Sequence, residues 1–355
     1  MSEGSGEVVF SEIGSLGRIL LNRPKFLNAL NLSMVEVIQE KLNEWNENPK
    51  IGGIVIEGRG EKAFCAGGDI KRLAQSAMEG NLTYCREFFS TEFLLNRNIY
   101  RLEKPWIAIL DGITMGGGVG LSVHGRFQVA TENTIFAMPE TGIGYFPDVG
   151  ASYFLSRLPS EIGTFLGLTG ARLNGRDMLE LGIASHYIDS ENLDEVLLGL
   201  RALPSGEGNT QYVYDLLEKF SLRDKGDFVS EHQEVIRKCF SKKSVEDIFA
   251  ALDQIGSEWA EQVLASLRGK CPRSLKVTLR QLTQGRTCDF ENCMIMELRL
   301  AVRFMKEPDF YEGVRAMLVD KDFKPSWRAL TLDAITDEEV ERFFQPLIDG
   351  DLTFS

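Results

Sequence analysis

Histidine is nearly absent from this chain. His124, His186 and His232 are the only three among 355 residues, and the pattern around them places a partner beside none of them. A nucleophile–imidazole pair is therefore poorly supported. Cys65, which stands beside a glycine turn, reads as a small buried residue and not as an activated thiol. The six cysteines form no small-scaffold framework and read as reduced thiols of an intracellular compartment. Cys288 and Cys293 are spaced C-x4-C, but no second pair or nearby histidine completes a zinc site, so no metal is expected. No apolar run approaches the ~18 residues that a membrane span needs. An excess of positive charge is also missing. Lys and Arg number 39 against 52 Asp and Glu, for a net charge of −13, which gives no global pull toward nucleic acid or anionic lipid. A polyanionic ligand would need a local basic patch. Arg23, Lys25, Lys62, Lys71 and Arg72 are candidates, although each taken singly reads somewhat better as an ordinary solvated surface charge.

The start, MSEGSGEVVF, lacks the apolar core of a secretory signal and the Arg-rich amphipathic character of a transit peptide. The last residues are not a peroxisomal Ser-Lys-Leu tripeptide. These ends suggest a cytosolic protein, or one from which a presequence has been removed.

The stretch 111–150 organises the rest. Gly116, Gly117 and Gly118 follow an apolar strand-like run, Trp106 to Leu110, and precede a helix-like run, Val119 to His124. Glycines at a strand-to-helix turn let backbone N–H groups point outward at the positive end of a helix dipole. A second glycine turn, KAFCAGGDI at 62–70, follows the strand-like run at 51–56 and opens a helix near Asp69. Two such turns can supply two N–H donors to one developing oxyanion. Downstream, Met138-Pro139-Glu140 and Phe146-Pro147-Asp148 carry two acids eight residues apart, and the prolines favour turns at both. Asp148 also reads as the N-cap of a helix opening at Val149.

Along the chain, residues 7–22 read as a hairpin. Ser33 with Glu36 reads as a capping box for the next helix. A long helix over 81–102 carries Glu92 among Phe88, Phe89 and Phe93, a placement that usually marks the solvated side of an amphipathic helix. Strands follow at 127–130 and 134–137, then helices at about 149–157, 160–168 and 174–182. The polar stretch 204–209 reads as a linker, which divides the chain into a core at 1–205 and an α-helical extension at 206–355. Strand, glycine turn and helix repeat in the first part, a periodicity that also fits a doubly wound α/β sheet.

The motifs at 62–70 and 112–150, with NRPKFLNALN at 22–31 and EGVRAMLVDKDFKPSW at 312–327, resemble the crotonase (enoyl-CoA hydratase/isomerase) superfamily over nearly the whole chain. The last stretch resembles the branch that cleaves small branched acyl-CoA thioesters in valine breakdown. The resemblance implies an α/β fold, a spiral of ββα units followed by a helical C-terminal region. It implies an acyl-CoA substrate, with coenzyme A part of that substrate and no separate cofactor, and it admits a homo-oligomer. It implies a mitochondrial matrix location, with cytoplasm or peroxisome as alternatives. The oxyanion donors would be the amides of Gly68 and Gly117. Glu92, Gly117, Glu140 and Asp148 would contact substrate, and Lys25, Phe26, Leu27 and Ala66 would line the coenzyme A site.

One departure from the superfamily pattern bears on the reaction. Its hydratases carry a catalytic Glu three residues after the second oxyanion glycine and another twenty-three after it. Those positions here are Gly120 and Glu140, and Asp148 stands where a hydratase-like chain tends to have glycine. Thioester hydrolysis, with Glu140 as nucleophile or base, fits these residues better than hydration. The rival expectations are a hydratase or isomerase, and a non-catalytic protein of the same fold.

Overall fold

The computed structural model describes residues 6–206, 208–224 and 226–354; Glu207, in the expected linker, lies outside them. The chain divides into two compact units. The first comprises the chain up to Gly68 with Leu94–Phe136 and Leu173–Val229. Its strands, in chain order, are β1 (Val8–Ile13), β2 (Leu16–Leu21), β3 (Gly53–Gly58), β4 (Ala63–Cys65), β5 (Trp106–Leu110), β6 (Ile113–Met115), β7 (Phe127–Ala130), β8 (Ile135–Ala137), β9 (Leu173–Asn174) and β10 (His186–Tyr187). They form two sheets and not one doubly wound sheet. Six strands run in the order β1-β2-β3-β5-β7-β10, and four in the order β4-β6-β8-β9.

The expected hairpin is β1 and β2, antiparallel and joined at Gly14, whose φ of +62° suits glycine. From β2 onward the larger sheet is parallel, with Arg18 opposite Val55, Ile54 opposite Trp106 and Ile107 opposite Phe127. A parallel sheet covered on both faces needs strands without polar alternation. The runs GIVIEG and WIAIL supply that, and every residue of β5 is buried. Val55, Ile107, Ile109, Phe127 and Val129 pack against Val196 and Leu200 of the helix Leu193–Leu200, and Val213 and Leu217 of the helix Asn209–Glu218. Leu193–Leu200 had no counterpart in the sequence reading. The helix Leu32–Glu47 is capped by Asn31, which accepts from the Met34 N–H at 2.9 Å, and not by Ser33.

The second unit, Asp69–Phe93, Ala137–Arg172 and Ser230–Ser355, is almost wholly helical. Asp69 caps the helix Ile70–Met78, as expected. Pro272 occupies the first turn of the helix Pro272–Gly285, and Asp289 caps Phe290–Phe304 by accepting from Asn292 N–H at 2.8 Å. Thr336 and Glu339 form a capping box on Asp337–Phe344. Tyr145 lies in an aromatic cluster in this unit. Its ring stacks on Phe89 at 5.8 Å, and Phe146, Phe304 and Phe310 lie within 5.8 Å of it.

Candidate active site

The first unit carries the glycine turns. Gly116 has φ 46° and ψ −121°, a conformation a side chain resists, and it turns the chain from β6 into the short helix Gly117–Gly120. A Cβ at Gly118 would stand 2.2 Å from the Cys65 carbonyl oxygen, so the helix can lie on β4 only without one. The two turns adjoin. A Cβ on Gly67 would meet the Met115 carbonyl oxygen at 3.4 Å and the Gly117 nitrogen at 3.7 Å. Gly117 opens its helix, so its N–H has no intrahelical carbonyl to reach. Among the backbone hydrogen bonds of the described residues, neither the Gly68 nor the Gly117 N–H is a donor. Cys65 is fully buried, as expected of a packing residue.

The loop at 22–31 joins the same turns. Leu30 bridges Gly68, and the Ala66 N–H donates to the Leu27 carbonyl at 3.0 Å. Leu27 and Asn28 both have positive φ, at 52° and 55°. The buried Asn28 side chain holds that turn by accepting from Arg23 N–H at 2.9 Å and donating to the Arg59 and Ala63 carbonyls. Lys25 and Phe26 project beside it, both exposed, with the Arg23 guanidinium 4.7 Å from the Phe26 ring. Leu27, Ala66, Gly68 and Gly117 are thus brought together, and Lys25 and Phe26 occupy the exposed turn next to them.

The second unit carries the acids, and it gathers four instead of three. Glu92, Glu140, Asp148 and Glu297 are all buried, at 2%, 6%, 6% and 0% exposure. Glu92 does not lie on a solvated face as the helical pattern suggested; its neighbours close over it. Burial pushes its carboxyl well above the usual carboxylate range, and the charges of Asp148 and Glu297 push it further. Glu140 opens the 3-10 turn Glu140–Ile143. Burial, then the Asp148 charge, raises its carboxyl well above the ordinary range, against a smaller opposing pull from Lys270. Burial in turn lowers the Lys270 ammonium, and Glu140 partly restores it. Asp148 is pushed up to about 7 by burial, although the Tyr145 hydroxyl donates to its Oδ2 at 3.1 Å.

Asp148 does not cap a helix with its side chain. The helix there is Ala151–Phe154, preceded by Gly150, and the carboxylate that accepts its N–H groups belongs to Glu297. Glu297 was not foreseen, nor were Tyr145 and Lys270. The one available signal was an acid inside the apolar run CMIMELRLA, at a helix position with no solvated face. Oε2 of Glu140 and Oε1 of Glu92 are buried and accept no hydrogen bond from the protein. Both carboxyls are thus raised by burial, and each keeps an oxygen free for a water or a substrate hydroxyl.

The family profile described as enoyl-CoA hydratase/isomerase matches residues 16–344. Over 356 residues the chain is 46% identical to the "3-hydroxyisobutyryl-CoA hydrolase, mitochondrial" of Gallus gallus, covering 99% of this chain and 92% of that protein. The protein of the same name from Rattus norvegicus is 47% identical, with 99% and 91% covered. Among solved structures, a carnitinyl-CoA dehydratase from Mycobacterium thermoresistibile superposes with a TM-score of 0.92 at 34% identity, covering 99% of both chains. An enoyl-CoA hydratase from Rhodobacter sphaeroides follows at 0.89 and 33%, covering 98% of this chain and all of that one.

Proposed function

The chain belongs to the enoyl-CoA hydratase/isomerase family, and from that premise we propose that it hydrolyses 3-hydroxyisobutyryl-CoA to 3-hydroxyisobutyrate and coenzyme A, a step of valine catabolism. The observation that carries the reading is the pairing of buried Glu140 and Asp148 in a chain that has Gly120 where the family's hydratases have a second acid. Nearly full-length identity to the two vertebrate hydrolases supports it. The solved relatives named as hydratase and dehydratase are more distant in sequence and share the fold.

Thioester cleavage needs donors for the charge that develops on oxygen and a carboxylate that attacks carbon or activates water. The amides of Gly68 and Gly117 have the chemistry for the first. For the second we assign Glu140 as nucleophile. Its free oxygen attacks the carbonyl carbon, the C–S bond breaks, coenzyme A leaves as thiolate, and water then opens the mixed anhydride. Asp148, held by Tyr145, orients the water or the substrate 3-hydroxyl, and Glu92 offers a second acceptor for that hydroxyl. Coenzyme A enters as part of the substrate, along Lys25, Phe26, Leu27 and Ala66, and no further cofactor takes part. The enzyme would work in the mitochondrial matrix, in keeping with the names of its relatives.

Incubation with 3-hydroxyisobutyryl-CoA and a thiol reagent should release free coenzyme A. Isobutyryl-CoA, which lacks the hydroxyl, should be cleaved more slowly, and crotonyl-CoA should not be hydrated at a comparable rate. Hydration of crotonyl-CoA as fast as thioester cleavage would return the hydratase reading to first place.

A further inference from the structure

Asp148 stands in a turn closed within itself by one backbone bond, from the Ala151 N–H to the Asp148 carbonyl at 2.9 Å. Val149 has φ +50°, left-handed for a β-branched residue, and Gly150 follows at +88°. Polar groups on either side of Asp148 are taken up by two helices far along the chain. From Phe290–Phe304, Glu297 accepts the Gly150 N–H at 2.7 Å with one carboxylate oxygen and the Ser152 N–H at 2.9 Å with the other. From Pro272–Gly285, Gln281 donates to the Pro147 carbonyl at 2.6 Å and to the Ser152 hydroxyl at 2.8 Å. Asp148 is bracketed by these bonds and makes none of them.

We propose that Glu297, assisted by Gln281, is a positioning residue that clamps the 147–152 turn and so sets where the Asp148 carboxyl stands. The division of labour is the argument. A helix start following an acid is ordinarily capped by that acid. Here Oδ2 of Asp148 meets the Tyr145 hydroxyl instead, and the capping passes to a carboxylate 147 residues away. The Asp148 carboxyl is thereby left free for chemistry while its backbone, closed locally by the Ala151 N–H alone among the backbone bonds to Asp148, is held from outside by Glu297 and Gln281. Glu297 is fully buried, and burial pushes its carboxyl up to about 8 despite the two N–H bonds. A helix facing the core tolerates such a group only where the amides it satisfies would otherwise be buried unpaired.

The inference rests on the hydrolase reading, and a double-mutant cycle separates the two. Glu297→Gln, Asp148→Asn and the double variant are assayed by single turnover on 3-hydroxyisobutyryl-CoA. Glu297→Gln sets an NH2 group against one of the two N–H donors. It should lower kcat ~10- to 100-fold with KM within about threefold, the scale of an ångström-sized misplacement. In the Asp148→Asn background the same substitution should cost less than about twofold, because the residue it positions is already disabled. Equal losses in both backgrounds, or a Glu297→Gln enzyme within about twofold of wild type, would overturn the inference. An Asp148→Asn enzyme at wild-type rate would instead count against the assigned role of Asp148. Should Glu297→Gln fail to fold, Gln281→Leu carries the same cycle. A crystal structure of whichever variant folds gives a reading independent of activity: the 3.1 Å bond from Tyr145 to Asp148 should be lost, and an unmoved turn overturns the inference.

Discussion

The two units solve the problem of placing charge by opposite means. In the first, the groups offered to a substrate are main-chain N–H groups at Gly68 and Gly117, set by backbone geometry at Gly67 and Gly116. Such donors are always protonated and need no rotamer held, and their cost is confined to a few unusual dihedrals. In the second, the groups are buried carboxyls, and all four have been pushed upward chiefly by burial. Their cost is electrostatic, and it varies with pH. Whatever pH dependence the enzyme has should therefore arise in the second unit.

The largest break in that comparison comes from removing the carboxylate proposed to attack. Glu140→Gln keeps the shape and one acceptor oxygen but can carry no negative charge. It should lower kcat by roughly 10³- to 10⁴-fold, measured as coenzyme A release at saturating substrate. A folded Glu140→Gln enzyme with near-normal turnover would end the assignment of Glu140.

Removing a main-chain donor should cost less. Gly117→Pro deletes the N–H itself, at the first position of a helix where proline is otherwise tolerated. The loss in kcat should be about 10²- to 10³-fold, the usual value of one oxyanion donor. The residual activity should keep the wild-type pH profile, since nothing that titrates has been touched. A changed profile would show that the two regions are not separable in this way.

What could be read from the sequence follows the same division. The glycine turns are local patterns, a strand-like run followed by glycines and a helix, and they lie where 62–70 and 112–120 placed them. Glu140 and Asp148 were visible because proline preceded each. Glu297 was not, because the amides it satisfies are 147 and 145 residues away and no local pattern registers such a bond. For the same reason local reasoning gave the capping of the 149–152 turn to Asp148, the nearest acid. It placed Glu92 toward solvent because a helical face says nothing about what later packs over it. The cap at Ser33 was a smaller miss: the side chain that reaches Met34 N–H is that of Asn31, two residues earlier.

The smallest expected effect concerns stability, and it tests whether the acid region bears an electrostatic cost. Asp148 has an ordinary value of 3.8 and is pushed up to about 7 when folded, so the folded protein holds this proton more tightly than the unfolded chain does. Stability from this group is therefore complete below about pH 3.8 and is lost as pH rises toward about 7, at a cost on the order of a few kcal/mol. Glu297, pushed up from 4.5 to about 8, acts with the same sign over a window extending slightly higher. The wild-type Tm should accordingly fall between pH 5 and pH 8. Asp148→Asn cannot ionise and should flatten part of that slope, so the impaired variant should be the more stable protein at pH 8 and show little difference at pH 5. The measurement is a pair of thermal melts at each pH. A wild-type slope unchanged by Asp148→Asn would mean that the Asp148 charge is solvated or paired in the folded protein, and the contrast between a main-chain region without titration and an acid region strained by it would lose its strongest member.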